Sequence, residues 1–287
     1  MKRLVTLLLV LFVFMSLVAG CSGGQESNDD PSSATPDASD DAGETQAAIK
    51  TCVSIRTDPG SLTPYGGATG FGKGTVYASL YEPLFILEEL GGEMKPCIAS
   101  GYEQLDDYTY RITIYDNVYD SAGNHITADD VVFSYKTASG LGNMATFLAS
   151  YEDIEKVDDY TVDLTLNSTA AGGLLNTTTY VYIVSQEAYE ADPEAMANSP
   201  VSTGPYMLEE WIPGSSVILV KNENYWQTDD LRTKYSQQNV EEIEYRVIGE
   251  PSQVAIALET GQIDYAPNVA QSDIPRFEEA EEFAVEK

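Results

Sequence analysis

Tyr108-Thr109-Tyr110-Arg111-Ile112-Thr113-Ile114-Tyr115 alternates with period two and is rich in β-branched and aromatic residues, which is the pattern of a half-buried strand. Asp120-Ser121-Ala122-Gly123-Asn124 follows as a turn. Thr127-Ala128-Asp129-Asp130-Val131-Val132-Phe133-Ser134-Tyr135 then reads as the start of a helix, with Thr127 as its cap and Asp130 in a first turn that favours negative charge. Working outward, Cys52–Arg56, Thr161–Leu166, Ser216–Lys221 and Ile243–Ile248 read as further strands. Pro251 to Gly261 reads as a helix that opens on Pro251 or Ser252 and closes on a glycine. Strands interleaved with helices make the class mixed α/β.

The ends of this region are bounded by composition. Lys2 and Arg3 precede an apolar run from Leu4 to Met15, too short for the ~20 residues of a span, and small residues follow at Ala19 and Gly20. Residues 1–20 therefore read as a signal peptide rather than a transmembrane helix. Leu17-Val18-Ala19-Gly20-Cys21 resembles a bacterial lipobox, which implies lipid on Cys21 and an anchor on the extracytoplasmic face of the cell membrane. Residues 21–48, rich in Ser, Asp, Gly, Ala and Pro, read as a disordered tether. Cys52 and Cys97 remain, and an oxidising compartment permits a disulfide between them or two buried thiols.

Charge and residue usage exclude several functions. The chain has 15 basic and 46 acidic residues, a net charge of −31, and loss of Lys2 and Arg3 with the leader takes it to −33. A field of that sign repels nucleic acid. His125 is the only histidine, it lies beside a turn where a solvated role is expected, and no G-x-S-x-G elbow accompanies it. No hydrolytic device, metal set or cofactor site is therefore expected, and the chain does not read as an enzyme. Gly67 to Lys73 imitates a phosphate loop, but Gly74 stands where that loop needs Ser or Thr. Acidic pairs such as Asp129-Asp130 read as caps or solvated faces.

Several segments, taken in order, carry a resemblance. Ser61-Leu62-Thr63-Pro64, Leu80-Tyr81-Glu82-Pro83-Leu84, Lys95 to Tyr102, Ile126 to Ser134, Ser202-Thr203-Gly204-Pro205-Tyr206, Asn222-Glu223-Asn224-Tyr225-Trp226 and Leu258 to Asp264 follow one another as in the family 5 extracellular solute-binding proteins. These are the oligopeptide, dipeptide and nickel binders of ABC importers, and the resemblance covers roughly residues 50 to 270. It implies a periplasmic-binding-protein-like fold of type II, cluster C. Residues 49–79 and 181–266 would form the first lobe, 80–180 an inserted subdomain, and 267–287 the start of a second lobe that is otherwise missing, since family members continue well past this length.

The implied function is capture of an oligopeptide or dipeptide by main-chain hydrogen bonds in a closing cleft, and delivery to permease subunits driven by cytoplasmic ATPases. By the same resemblance Thr69, Gly70, Phe71, Tyr81, Glu82 and Asn268 are candidate ligand contacts, with Glu82 facing a cationic peptide terminus. The alternatives are a non-transporting surface lipoprotein, acting as adhesin or sensor, and a binder of nickel or another small solute.

Overall fold

In the computed structural model, residues 50–66, 71–89 and 91–285 are described, with 71–73 described as backbone only. The leader, Cys21, the tether, Thr69, Gly70 and the Phe71 side chain lie outside this description. In chain order the elements are β1 (Lys50–Ile55), α1 (Phe71–Leu80), β2 (Phe85–Leu87), β3 (Met94–Pro96), β4 (Ala99–Gln104), β5 (Thr109–Ile114), α2 (Ala128–Ser139), β6 (Tyr151–Asp158), β7 (Thr161–Leu166), α3 (Gly173–Thr179), α4 (Gln186–Ala191), α5 (Pro193–Asn198), β8 (Tyr206–Ile212), β9 (Ser216–Lys221), β10 (Glu242–Val247), α6 (Pro251–Glu259) and α7 (Ile274–Glu278).

The alternation in β5 does what its period requires. Ile112 and Ile114 turn inward and Thr113 outward, and β5 takes the centre of an antiparallel sheet ordered β4-β5-β7-β6. Val162 and Leu164 of β7 lie opposite Ile112 and Tyr110, so the buried face is continuous across the sheet. Helix α2 covers that face with Val131, Tyr135 and Ala138, spaced four and three residues apart on one side of the helix. Its start is fixed as the sequence suggests: Asp130 Oδ2 accepts the Thr127 N–H at 2.7 Å. Asp130 Oδ1 also accepts from the Gln186 N–H at 2.8 Å and so holds the entry to α4.

A second four-stranded sheet is assembled from distant pieces, in the order β1-β10-β9-β8. β1 runs parallel to β10, while the β10–β9 and β9–β8 pairs are antiparallel. β2 and β3 form a separate hairpin pair. One cluster of buried side chains extends from Val53 and Ile55 through Leu62, Leu80 and Leu84 to Ile112, Leu164 and Ile183, joining both sheets to α1 and α2. Each such aliphatic side chain stabilises the fold by about 1.5–3 kcal/mol relative to exposure. Val254, Ala257 and Ile263 make a smaller cluster under α6.

The landmark Gly204 has a steric reason. It accompanies the end of α1, donating its N–H to Leu80 O at 2.9 Å, and a Cβ there would lie 2.7 Å from the Leu80 carbonyl carbon. Only glycine allows β8 to start that close to the helix.

One alternative left open is decided and one expectation is corrected. Cys52 and Cys97 are both free. Cys52 packs on β1 against the small cluster under α6, whereas Cys97 is buried beside Glu82, so the fold draws the two thiols into different surroundings. His125 is half-buried rather than simply solvated: its ring stacks on Tyr119 with centroids 4.7 Å apart, and Tyr160 lies 5.7 Å away.

Candidate functional site

Parallel strands expose their carboxyl ends at one edge of a sheet, and ligands of α/β folds gather outside such ends. Here β1 and β10 end together at Ile55 and Val247, and Ile248 donates to Ile55 O at 2.8 Å to prolong the pairing. A cavity of about 330 Å³ opens at this point. Its walls include Ser54 and Arg56 leaving β1, Gly249 and Pro251 at the turn into α6, and Asn268 with Pro267 from the segment beyond. Pro251 occupies the first turn of α6, where its missing N–H costs no helical bond, and it forms part of the cavity wall.

The backbone around this cleft is held by carboxylates. Asp264 Oδ2 accepts the Cys52 N–H at 2.6 Å, and Cys52 O accepts the N–H groups of Asp264 and Tyr265. Tyr265 O in turn accepts the Ser54 N–H at 3.0 Å, so residues 264 and 265 add to the free edge of β1 as a short parallel bridge and deliver Asn268 to the cleft. On the other side, Asp58 Oδ2 accepts from Gly214 N at 2.6 Å and Trp211 Nε1 at 3.1 Å. Its Oδ1 accepts the Gly60 N–H at 2.7 Å. The loop leaving β1 is thereby tied to the β8–β9 hairpin.

Of the expected contact residues, Asn268 lines this cleft, while Tyr81 and Glu82 do not. They line a separate cavity of about 220 Å³, reached between the end of α1, β2, the segment after α3 and residues 233–236. Tyr81 is buried and donates its hydroxyl to Leu62 O at 3.1 Å. Glu82 is 3 % exposed, and its carboxyl does not stand free to meet a peptide terminus. Tyr225 Oη and Gln227 Nε2 donate to Oε1, the latter at 2.9 Å, and Cys97 Sγ approaches the same oxygen at 3.5 Å. Trp226 Nε1 donates to Oε2 at 2.6 Å. Burial pushes this carboxyl up to about 7, against the opposing pull of the Tyr225 and Trp226 donors. The same burial, with Glu82 alongside, raises the Cys97 thiol. Thus Tyr225 and Trp226, landmarks of the family resemblance, are partners of Glu82.

Arg56 and Gly249 are cleft residues that the sequence reading did not single out. The available signal was the junction itself, where a strand ending at Ile248 passes through Gly249 and Glu250 directly into the helix at Pro251. Among the described residues there is no group of three or more His, Cys, Asp or Glu side chains arranged to hold a metal ion, and no helix long and apolar enough to cross a membrane.

Over 258 residues the chain is 27 % identical to the oligopeptide-binding protein OppA of Bacillus subtilis, covering 82 % of this chain and 45 % of that protein. It is 28 % identical over 226 residues to the glutathione-binding protein GsiB of Salmonella typhimurium, covering 77 % of this chain and 42 % of the relative. The fold matches the oligopeptide-binding protein AppA from Bacillus subtilis, solved in complex with a nonapeptide, with a TM-score of 0.65 at 22 % identity over 79 % of this chain and 45 % of that one. The chain thus spans less than half the length of these relatives, which are binding proteins rather than enzymes. The model of the bacterial extracellular solute-binding proteins, family 5 (Middle), matches residues 93–287. The chain belongs to the family 5 bacterial extracellular solute-binding proteins.

Proposed function

We propose that this protein captures peptides at the carboxyl ends of β1 and β10 and passes them to the permease of an ABC importer with cytoplasmic ATPases, held at the extracytoplasmic face of the membrane by lipid on Cys21. The observation that carries this reading is the cleft itself, where two parallel strands, the start of α6 and Asn268 converge on one cavity. An extended peptide suits such a place, because Gly249 offers only main chain to the cleft beyond the paired strand ends, and main-chain groups pair with a ligand backbone whatever its side chains. Arg56 is an exposed cation on the lining, suited to a peptide carboxylate in a chain otherwise so acidic. The division into lobe I (49–79 and 181–266) around an insert (80–180) is part of the same reading, and the two sheets are built from those respective stretches.

The test is calorimetric titration of the chain with unblocked peptides of two to nine residues. Saturable binding is expected for at least one length, and Asn268→Ala weakens it about two- to tenfold, the loss of one hydrogen bond. Gly249→Phe, which fills the cleft, abolishes it. Peptide affinity unchanged in both variants would refute the assignment of the cleft.

A further inference from the structure

The 220 Å³ cavity lies at the other end of β10 from the cleft. Residues 233–236, which precede that strand, close it, whereas the cleft opens where the strand ends. Four tyrosines, Tyr81, Tyr180, Tyr182 and Tyr235, share its lining with Glu82. Tyr180 and Tyr235 stand at the mouth, 44 % and 57 % exposed, and the Tyr180 ring is backed by Phe147 at 4.2 Å. A cavity of ~150 Å³ already accommodates benzene, so this one admits a compact group of that size or slightly larger.

The chemistry of the lining selects the group. The Glu82 carboxyl is approached by four donors, from Tyr225, Trp226, Gln227 and Cys97. That matches the roughly four lone-pair positions a carboxylate offers. A ligand therefore gains little by bringing an N–H or O–H to it. A bound cation, by contrast, favours the ionised form of the buried Glu82 carboxyl and is attracted by the negative faces of tyrosine rings. The net charge of −31 further concentrates cations near the surface. Positive charge, no hydrogen to donate and a compact apolar outline together describe a quaternary ammonium group.

We propose that this cavity is a second binding site, separate from the cleft, for a small soluble quaternary ammonium compound of about the size of choline. The test is calorimetric titration of the chain with choline and with 3,3-dimethyl-1-butanol, the same shape without charge. Choline binds saturably, and the neutral isostere binds at least about tenfold more weakly. Tyr180→Leu, at a half-exposed position, lowers choline affinity about tenfold while far-ultraviolet circular dichroism shows the chain still folded. Ala78→Phe, at an exposed position of α1 on the lining, blocks the cavity and removes choline binding. Equal affinity for the isostere, choline affinity unchanged in both variants, or no saturable choline binding by the folded chain would each overturn the proposal. Sedimentation with phosphatidylcholine vesicles that Ala78→Phe abolishes, without binding of free choline, would overturn the assignment to a soluble compound. Because the cleft plays no part in these measurements, their failure leaves peptide capture untouched.

Discussion

Replacing Glu82 by glutamine should make the protein more stable at alkaline pH than the natural chain, and the size of the effect follows from burial. The carboxyl has an ordinary value of 4.5 and is pushed up to about 7 in the fold. The folded state therefore holds a proton that the unfolded chain releases, so stability from this group is fully present below about 4.5 and is lost as pH rises through about 7. Between about pH 5 and pH 8 the loss amounts to roughly 2–3 kcal/mol. Glutamine cannot ionise and escapes it.

The site can also accept the amide. Gln227 Oε1 is buried without a partner. Turning that amide over places its oxygen where Nε2 now sits, 2.9 Å from Glu82 Oε1, ready to accept from a protonated carboxyl or from the amide of Gln at this position. Urea unfolding followed by tryptophan emission suits the measurement, because Trp226 donates to this carboxyl and is one of only two tryptophans. The gap between Glu82→Gln and the natural chain should widen by that amount from acid to alkaline pH. Parallel stability profiles across the range would refute the reasoning. Glu82→Leu, which strips the acceptor from the buried Tyr225, Trp226 and Gln227 donors as well as from the Cys97 thiol, should instead cost about 3–6 kcal/mol, a large share of the stability of an ordinary domain.

Other perturbations are equally specific. Gly204→Ala drives a methyl into the backbone of Ser79 and Leu80 at 2.7–2.9 Å, and urea titration should show a loss toward the upper end of about 1–3 kcal/mol. Asp58→Ala releases Trp211 Nε1 and the Gly214 N–H; a red shift of Trp211 emission and a loss of about 1–2 kcal/mol are expected. Alkylation of the unfolded chain without reductant should label both Cys52 and Cys97 on peptide mapping, and absence of label at both, recovered on reduction, would restore the bridge. In the folded chain Cys52, pushed up to about 11 by burial and by Glu244, should react slowly near neutral pH.

The strands and helices with strong periodicity were legible in the sequence because one buried face imposes its period on the residues. β5, β7, β9 and α6 are where the alternation and the helix signals put them, within a residue or two. The parallel pairing of β1 with β10 was not legible, since the two strands lie 192 positions apart and no local pattern encodes a partner. The cysteines show how a count misleads. An even number in an oxidising compartment permits a bridge, but only the packing of β1 against α6 and of Cys97 against Glu82 decides that these thiols do not meet. His125 was read from its neighbours in the chain as solvated, although a bridge between Tyr119 and His125 lays the two rings together. Of the contact residues expected from the landmarks, Asn268 lies in the cleft and Glu82 in the other cavity, where it is held by partners 143 to 145 residues away that no local pattern encodes.

Acidity itself carries more of the structure than composition suggests. Read as a sum, −31 describes repulsion from polyanions and little else. Read by position, four carboxylates join segments remote in sequence: Asp58 to Gly214 across 156 residues, Glu82 to Trp226 across 144, Asp130 to Gln186 across 56, and Asp264 to Cys52 across 212. Three of these take backbone N–H groups, which every residue but proline supplies, so the acidic residue alone specifies each tie. Two of the four, Asp58 and Asp264, fix the loop leaving β1 and the segment that brings Asn268 alongside it, which are the two sides of the cleft. An acidic residue distant from any ligand can thus set the shape of the site. For that reason Asp264→Asn, which keeps size but weakens the acceptor, should lower peptide affinity without touching the peptide.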